Sequence, residues 1–263
     1  MLNERMSLGI AITAFYAPAV PLAIYNFWRN RSVRPRMAWS PMILFTLMRL
    51  ASGIITILLW QHPSNLNTGL IIADLVLLNI GVVTFIVAGI GQVRIVLIDN
   101  YSHHPISNKI GSALRASYVI AVALLAAGGG LVTSDGKIAR ILGLVGYAIL
   151  AVELAVLIGM EVCFFMRRHE LLQTSRKVIL ASFAIAPFLI VRVAYGFLDV
   201  AHELDFTSKW SPLFGNIYAF AFMCLFMEYV ILCIYLWLGF SITSERRDAQ
   251  RRSALATGDA PKV

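Results

Sequence analysis

Seven long apolar runs make up most of this 263-residue chain and constrain its fold more than any other feature. A helix needs roughly 20 residues to cross a hydrocarbon core of about 30 Å, and each run reaches that length. Backbone N–H and C=O groups in lipid must bond to one another, so each run is predicted to be a helix. We predict an all-α, polytopic membrane protein whose seven transmembrane helices cover residues 7–28, 38–60, 68–92, 113–133, 138–166, 176–200 and 212–240.

The composition leaves no room for a second folded domain. Hydrophobic residues make up 59% of the chain and charged residues only 14%, which is too little charge to keep the surface of a soluble protein hydrated. We predict one transmembrane domain over residues 1–244. Residues 245–263 are polar and basic, and we expect them to form a disordered cytoplasmic tail.

The basic residues lie mainly on one side of the predicted membrane. Alternate loops and the tail carry 16 of them, whereas the other side has only Arg5, Lys137, Arg140 and Lys209. The positive-inside rule then places the N-terminus outside the cytoplasm and the C-terminus inside. This distribution accounts for the net charge of +8, so we expect no nucleic-acid partner. We expect the protein to lie in the endoplasmic reticulum membrane, because no signal for another organelle is evident.

Ionisable residues inside the predicted helices are the strongest functional signal. A central charge costs at least about 2.5 kcal/mol, so such side chains should face protein or water. In a purely structural network each arginine would neutralise one carboxylate, but two arginines cannot pair with five acids. Some acids must therefore be protonated or reach water, and a neutral carboxylic acid beside a cavity is a proton donor. The seven residues are Arg49, Asp74, Glu153, Glu161, Arg192, Asp199 and Glu228.

The sequence offers no sign of a cofactor or metal. All five histidines fall in predicted loops, so paired ligands for haem or zinc are absent from the helices. The seventh predicted helix has no lysine for a retinal Schiff base, and no glycine-rich loop suits a phosphate. We therefore expect neither a cofactor nor a metal site.

Four segments carry a resemblance to a known family: FTLMRLASG (45–53), HPSNLN (62–67), PFLIVRVAYGFL (187–198) and IYLWLGF (234–240). Through them, nearly the whole chain resembles a mostly uncharacterised family of fungal seven-helix integral membrane proteins. Some members of such families are similar to membrane-bound terpene cyclases of meroterpenoid, ascofuranone-type pathways.

This resemblance implies an acid-initiated cyclase that needs no metal. The implied reaction protonates an epoxide or alkene of a prenylated aromatic substrate, and capture of the cation closes a ring. Tyr195, which shares a helix face with Arg192 and Asp199, would donate a hydrogen bond to the substrate oxygen. The implied partners are the lipophilic prenylated substrate, membrane lipid and other membrane enzymes of the same pathway.

Within this hypothesis the acid is one of three carboxyls. Glu228 and Asp199 are the first candidates and Glu153 is the third. Arg192 and Arg49 would orient or tune the acid. Aromatic faces would stabilise the carbocation, and a second carboxylate would accept the final proton.

Two alternatives remain open at this point. A proton-coupled transporter or exporter of a lipophilic metabolite would use Asp74 and Glu153 for coupling, although no internal repeat is evident. A seven-helix receptor or scaffold fits the helix count and topology. However, the third helix ends in GIGQVRI, and the seventh lacks a receptor-like NPxxY segment.

Overall fold

The computed structural model describes residues 4–30, 36–61, 67–100, 105–132, 134–169, 171–202, 209–211 and 215–257, with side chains except at 36, 105–115 and 243–257. Within these residues the chain forms seven long helices: α1 (Glu4–Arg29), α2 (Ser40–Gln61), α3 (Thr68–Asn100), α4 (Pro105–Leu131), α5 (Gly136–Met166), α6 (Gln173–Ala201) and α7. The last of these, α7, opens with Ile217–Phe220, passes through the π-helical segment Ala221–Phe226 and continues as Met227–Thr257.

Local sequence explains where several helices begin. Pro105 is the first residue of α4, a position at which the missing N–H costs nothing. The Asp135 side chain accepts a hydrogen bond from the Ile138 N–H (3.2 Å) and so caps α5. At the start of α7, the Asn216 side chain accepts from the Tyr218 N–H at 2.9 Å.

In the part of the chain that the structure describes, six helices are long and apolar enough to cross a membrane, which indicates an integral, multi-pass membrane protein. They are α1, α2, α3, α5, α6 and the part of α7 from Ile217 to Ile242. In α4 the apolar stretch with described side chains, Ala116–Leu131, is shorter. The prediction of an all-α membrane protein is therefore confirmed, and seven spanning helices remain a prediction.

Three helices run further than predicted: α4 begins at Pro105, eight residues before its predicted start, and α3 and α7 extend past their predicted ends. The third extends through Asn100, because VRIVLIDN contains no glycine or proline to end it. The Asn100 side chain then donates to Ser175 Oγ (2.8 Å) and accepts from the Leu172 N–H (3.0 Å), which joins α3 to the start of α6. The seventh helix runs to Thr257, so the backbone of 245–257 in the predicted tail is helical, and the division at residue 244 remains a prediction.

Some predicted features lie outside the described residues. They are residues 212–214 at the predicted start of the seventh span, the tail beyond residue 257, residues 62–66 of HPSNLN and the basic loop residues Arg31 and Arg34.

The helices pack in chain order around α3. This helix contacts α2, α4, α5 and α6, and α7 packs against α6 and α1. Val82, Phe85 and Ile86 of α3 lie at the centre of the core, whereas Val152, Leu180 and Trp237 are more than half exposed on the outside. An apolar outward face on the helices is what contact with lipid requires.

Candidate functional site

Three charged side chains from α2, α6 and α7 meet in the middle of the bundle. Arg192 Nε donates to Glu228 Oε1 at 2.6 Å, and Arg49 Nη2 donates to the same oxygen. The exposed fraction of each of the three residues is 2% or less. The structural network considered above would have paired each arginine with its own carboxylate, whereas here both arginines share Glu228.

The surrounding elements hold this ion cluster of Arg49, Arg192 and Glu228 in place. Arg192 Nη2 donates to the Leu78 carbonyl of α3 at 3.0 Å. The buried Cys224 lies one helical turn before Glu228, and its sulfur is 3.7 Å from Arg49 Nη2 and 3.5 Å from Glu228 Oε1. Cys224 belongs to the π-helical segment, and such segments within α-helices occur frequently at functional sites.

A second polar contact joins α5 to α3 beside the cluster. Tyr147 Oη donates to Asn79 Oδ1 at 2.9 Å, and both residues are buried. Gly196 of α6 makes room for this tyrosine, since a Cβ at that position would overlap the ring. Tyr147 lies within electrostatic range of both Arg192 and Asp199, and Asp199 is half-buried near the end of α6.

Asp74 of α3 is buried against two hydroxyl groups of α2. Ser52 Oγ donates to Asp74 Oδ1, and Thr56 Oγ1 lies 3.2 Å from Asp74 Oδ2. Thr56 Oγ1 also lies 2.9 Å from the Ser52 carbonyl, which only accepts hydrogen bonds. Asp74 thus accepts hydrogen bonds from both hydroxyl groups of α2, and the Thr56 proton is shared between Oδ2 and the Ser52 carbonyl.

Asp74 lines a narrow cleft with a cavity volume of about 20 Å³, enough for one water-sized molecule. The cleft lies at the end of the bundle where α1 and α7 begin and α2 ends. Leu8, Ile12 and Leu78 contribute apolar walls, and Trp60 and Phe220 contribute aromatic rings. Arg5 lies at the same cleft, where it stacks 5.0 Å from the Trp60 ring centroid and donates to the Gly215 carbonyl at 2.8 Å.

Comparison with known families assigns the chain to one of them. The DUF7702 family, described as a domain of unknown function, matches residues 2–245. The chain belongs to the DUF7702 family. Comparison of this DUF7702 chain with curated proteins gave no match, and comparison with solved structures gave none either.

Three of the six predicted site residues of this DUF7702 chain come together, namely Arg49, Arg192 and Glu228. Glu153 instead lies between α5 and α4, where Ser117 Oγ donates to its Oε1. Tyr195 is buried next to Phe220, with 6.2 Å between the ring centroids, and its hydroxyl donates to the Trp210 carbonyl at 3.1 Å.

The sequence analysis missed several polar partners in the core of this DUF7702 chain. Arg49, Ser52 and Thr56 follow one another at i, i+3 and i+7, so their shared face on α2 was a usable signal. Asn79 and Tyr147 gave no such signal, because a lone tyrosine or asparagine in an apolar run does not reveal its partner. Within the described residues, no three side chains of the types that bind metals come together.

Proposed function

We propose that this protein is a membrane-embedded terpene cyclase that needs no metal, and that Asp74 is its proton donor. The observation that carries the proposal is the position of Asp74, a buried carboxyl at an apolar, aromatic-lined cleft. A buried carboxyl kept neutral by its surroundings is the form that acid catalysis requires. A lipophilic prenylated substrate would reach the cleft from the bilayer and would have to widen it.

The proposed reaction conserves the mass of the substrate. Asp74 Oδ2 gives its proton to the epoxide oxygen, and the C–O bond breaks as an alkene or hydroxyl supplies electrons to form the new ring bond. The rings of Trp60 and Phe220 face the developing cation from the cleft walls. Loss of one proton from the product cation to the Asp74 carboxylate then restores the acid. The product is an isomer of the substrate.

In this proposal Glu228 is no longer a first candidate for the acid. Both guanidinium groups donate to Glu228 Oε1, and Glu228 does not line the cleft. Arg49, Arg192 and Glu228 then act as positioning residues that fix α2, α6 and α7 around the cleft. The predicted roles of Asp199, Glu153 and Tyr195 remain predictions.

The proposal is tested by incubating microsomes that contain the protein with a farnesylated phenol epoxide. We expect a cyclised isomer of unchanged mass from the wild type. Asp74→Asn should lower its formation at least about 100-fold, because proton donation by a positioned acid contributes that much. Glu161→Gln is the matched control, since Glu161 is also buried but does not line the cleft, and it should retain activity. Full activity in Asp74→Asn would reject Asp74 as the acid.

One observation favours a proton-coupled exporter as a second candidate. Asp74 bonds to hydroxyls of α2, and Glu161 lies nearer the other end of the bundle beside Ser182 of α6, with the ion cluster between these levels. Two buried acids at different depths are suited to passing protons. Proteoliposomes that acidify when a lipophilic phenol is added, together with no isomer formation, would favour the exporter.

We also propose the orientation and location of the chain. All seven helices would cross the endoplasmic reticulum membrane, with the N-terminus in the lumen and the C-terminus in the cytoplasm. The 16 basic residues on one side support this orientation. Glycosylation of a tag placed at the N-terminus, but not of one at the C-terminus, is the expected result.

A further inference from the structure

The cleft that Asp74 lines is closed to anything much larger than a water molecule. Its cavity volume is about 20 Å³, and two of its wall residues, Ile12 of α1 and Leu78 of α3, are only 2% and 4% exposed. An organic ligand needs a pocket of roughly 300 Å³ or more. A wall of the cleft must therefore move before such a molecule can reach Asp74.

Arg5, at the start of α1, joins three segments at the mouth of the cleft. Its guanidinium group stacks on the Trp60 ring at the end of α2, with 5.0 Å between Cζ and the ring centroid. Its Nη2 donates to the Gly215 carbonyl, just before α7, at 2.8 Å. A hydrogen bond from a charged donor is stronger than one between neutral groups, so this bond links α1 firmly to the start of α7.

Gly215 is held in place from the side of α6. Its N–H donates to the Ser211 carbonyl at 2.8 Å, and the Tyr195 hydroxyl of α6 donates to the carbonyl of the adjacent Trp210 at 3.1 Å. The chain then enters α7, whose Phe220 lines the cleft. The acceptor of the Arg5 bond is therefore fixed to the wall of the cleft that faces α1.

The start of α1 is attached chiefly to α2. Gly9 of α1 approaches α2 so closely that a Cβ on it would lie 3.1 Å from the Gly53 carbonyl oxygen. The aromatic contact between α1 and α7 lies deeper in the bundle, where the Phe15 and Tyr229 rings stack with 4.0 Å between their centroids. Breaking the bond of Arg5 therefore releases the start of α1 from α7, while the deeper contact remains.

We propose that Arg5 is a gating residue that controls entry to the cleft. Its bond to the Gly215 carbonyl holds the start of α1 against the start of α7, and breaking this bond opens a path to Asp74 between the two helices. Trp60 keeps the guanidinium group at the mouth, so that the bond can form again. The gate depends only on the cleft, and it applies whether the molecule that enters is cyclised or exported.

The test is the labelling rate of a cysteine placed in the cleft wall of the full-length protein, purified in detergent. Ile12→Cys supplies the thiol, and N-ethylmaleimide, which is larger than the closed cavity, is the probe. Mass spectrometry of the peptide that contains position 12 leaves out the exposed native cysteines, Cys163 and Cys233. Arg5→Met keeps a side chain of similar length over Trp60 but cannot donate. It should raise the labelling rate about tenfold, because a hydrogen bond from a charged group contributes at least that factor.

Control variants and a native thiol separate gating from a general loosening of the bundle. Arg5→Lys retains a charged donor and should restore most of the slow labelling. Arg168→Met is the matched control, because Arg168 also stacks on an aromatic ring, 4.8 Å from the centroid of Phe165, but lies after the end of α5 and away from the cleft. It should leave the labelling rate unchanged. The buried Cys224 should stay unlabelled in every variant.

Leu78→Cys on α3 is a second reporter, which serves where Ile12→Cys does not fold. An unchanged labelling rate in Arg5→Met would overturn the proposal. A rise that Cys224 shares would also overturn it, because the whole bundle would then be looser. Labelling needs no turnover, so the expected rates together with no isomer formation would retain the gate and reject the cyclase.

Discussion

Glu228 is the counter-ion of two buried arginines at the centre of the bundle, so the stability of the fold should depend on it. Replacing it with Gln would leave Arg49 and Arg192 buried without a counter-ion, and breaking a buried ion pair in this way costs about 3–5 kcal/mol. We therefore expect Glu228→Gln to lower the thermal unfolding midpoint markedly in detergent. Glu153→Gln should cost much less, because Glu153 bonds to a serine hydroxyl and not to a cation. Equal stability of the two variants would contradict the arrangement of the cluster.

The sequence predicted which polar residues matter better than how they pair. Arg49, Arg192 and Glu228 stood out because charge is costly in lipid. Whether both arginines bond to one oxygen of Glu228 depends on how α2, α6 and α7 are rotated about their axes. Helix periodicity shows which residues share a face of one helix, but it does not show which helix that face contacts. For Asp74 the deciding evidence was its place at the cleft, which depends on how four helices pack and which no spacing indicates.

Packing between α5 and α6 depends on the glycine at position 196. Because a Cβ would overlap the Tyr147 ring, Gly196→Ala should push the helices apart and destabilise the protein by about 2–3 kcal/mol. Gly159→Ala on α5 is the control, since a Cβ there meets nothing within 4 Å. Thermal unfolding of both variants checks this prediction. A stable Gly196→Ala protein would argue against the close approach of α6 to Tyr147.

The presence of each helix could be predicted from the sequence, whereas the positions of the helix ends were predicted less well. Long apolar runs cannot be anything but helices in a bilayer, so all seven elements were expected. The start of α4 and the ends of α3 and α7 were missed because hydrophobicity is lower there although the helix continues. The π-helical segment before Glu228 was also missed, since AFMCLF differs in no evident way from an ordinary apolar turn.

The whole molecule is arranged around α3, the central helix of the bundle. It supplies Asp74 to the cleft and the Leu78 carbonyl to Arg192, and Asn79 to Tyr147. The apolar character of α3 allowed it to be predicted as a span, but its central position follows only from its contacts with four other helices. The cleft and the ion cluster therefore lie at two depths in the bundle, and both use residues of α3.

The most direct test of the proposed chemistry is the protonation state of Asp74 in the membrane. Infrared spectra are recorded of the wild type and of Asp74→Asn in lipid at neutral pH. The difference between the two spectra reports which carboxyl form the variant lacks. We expect the difference to show loss of a protonated carboxylic acid carbonyl band, as the proposed proton donation by Asp74 requires. Loss of an ionised carboxylate band instead would contradict a neutral Asp74 and remove the proton donor on which the proposed function rests.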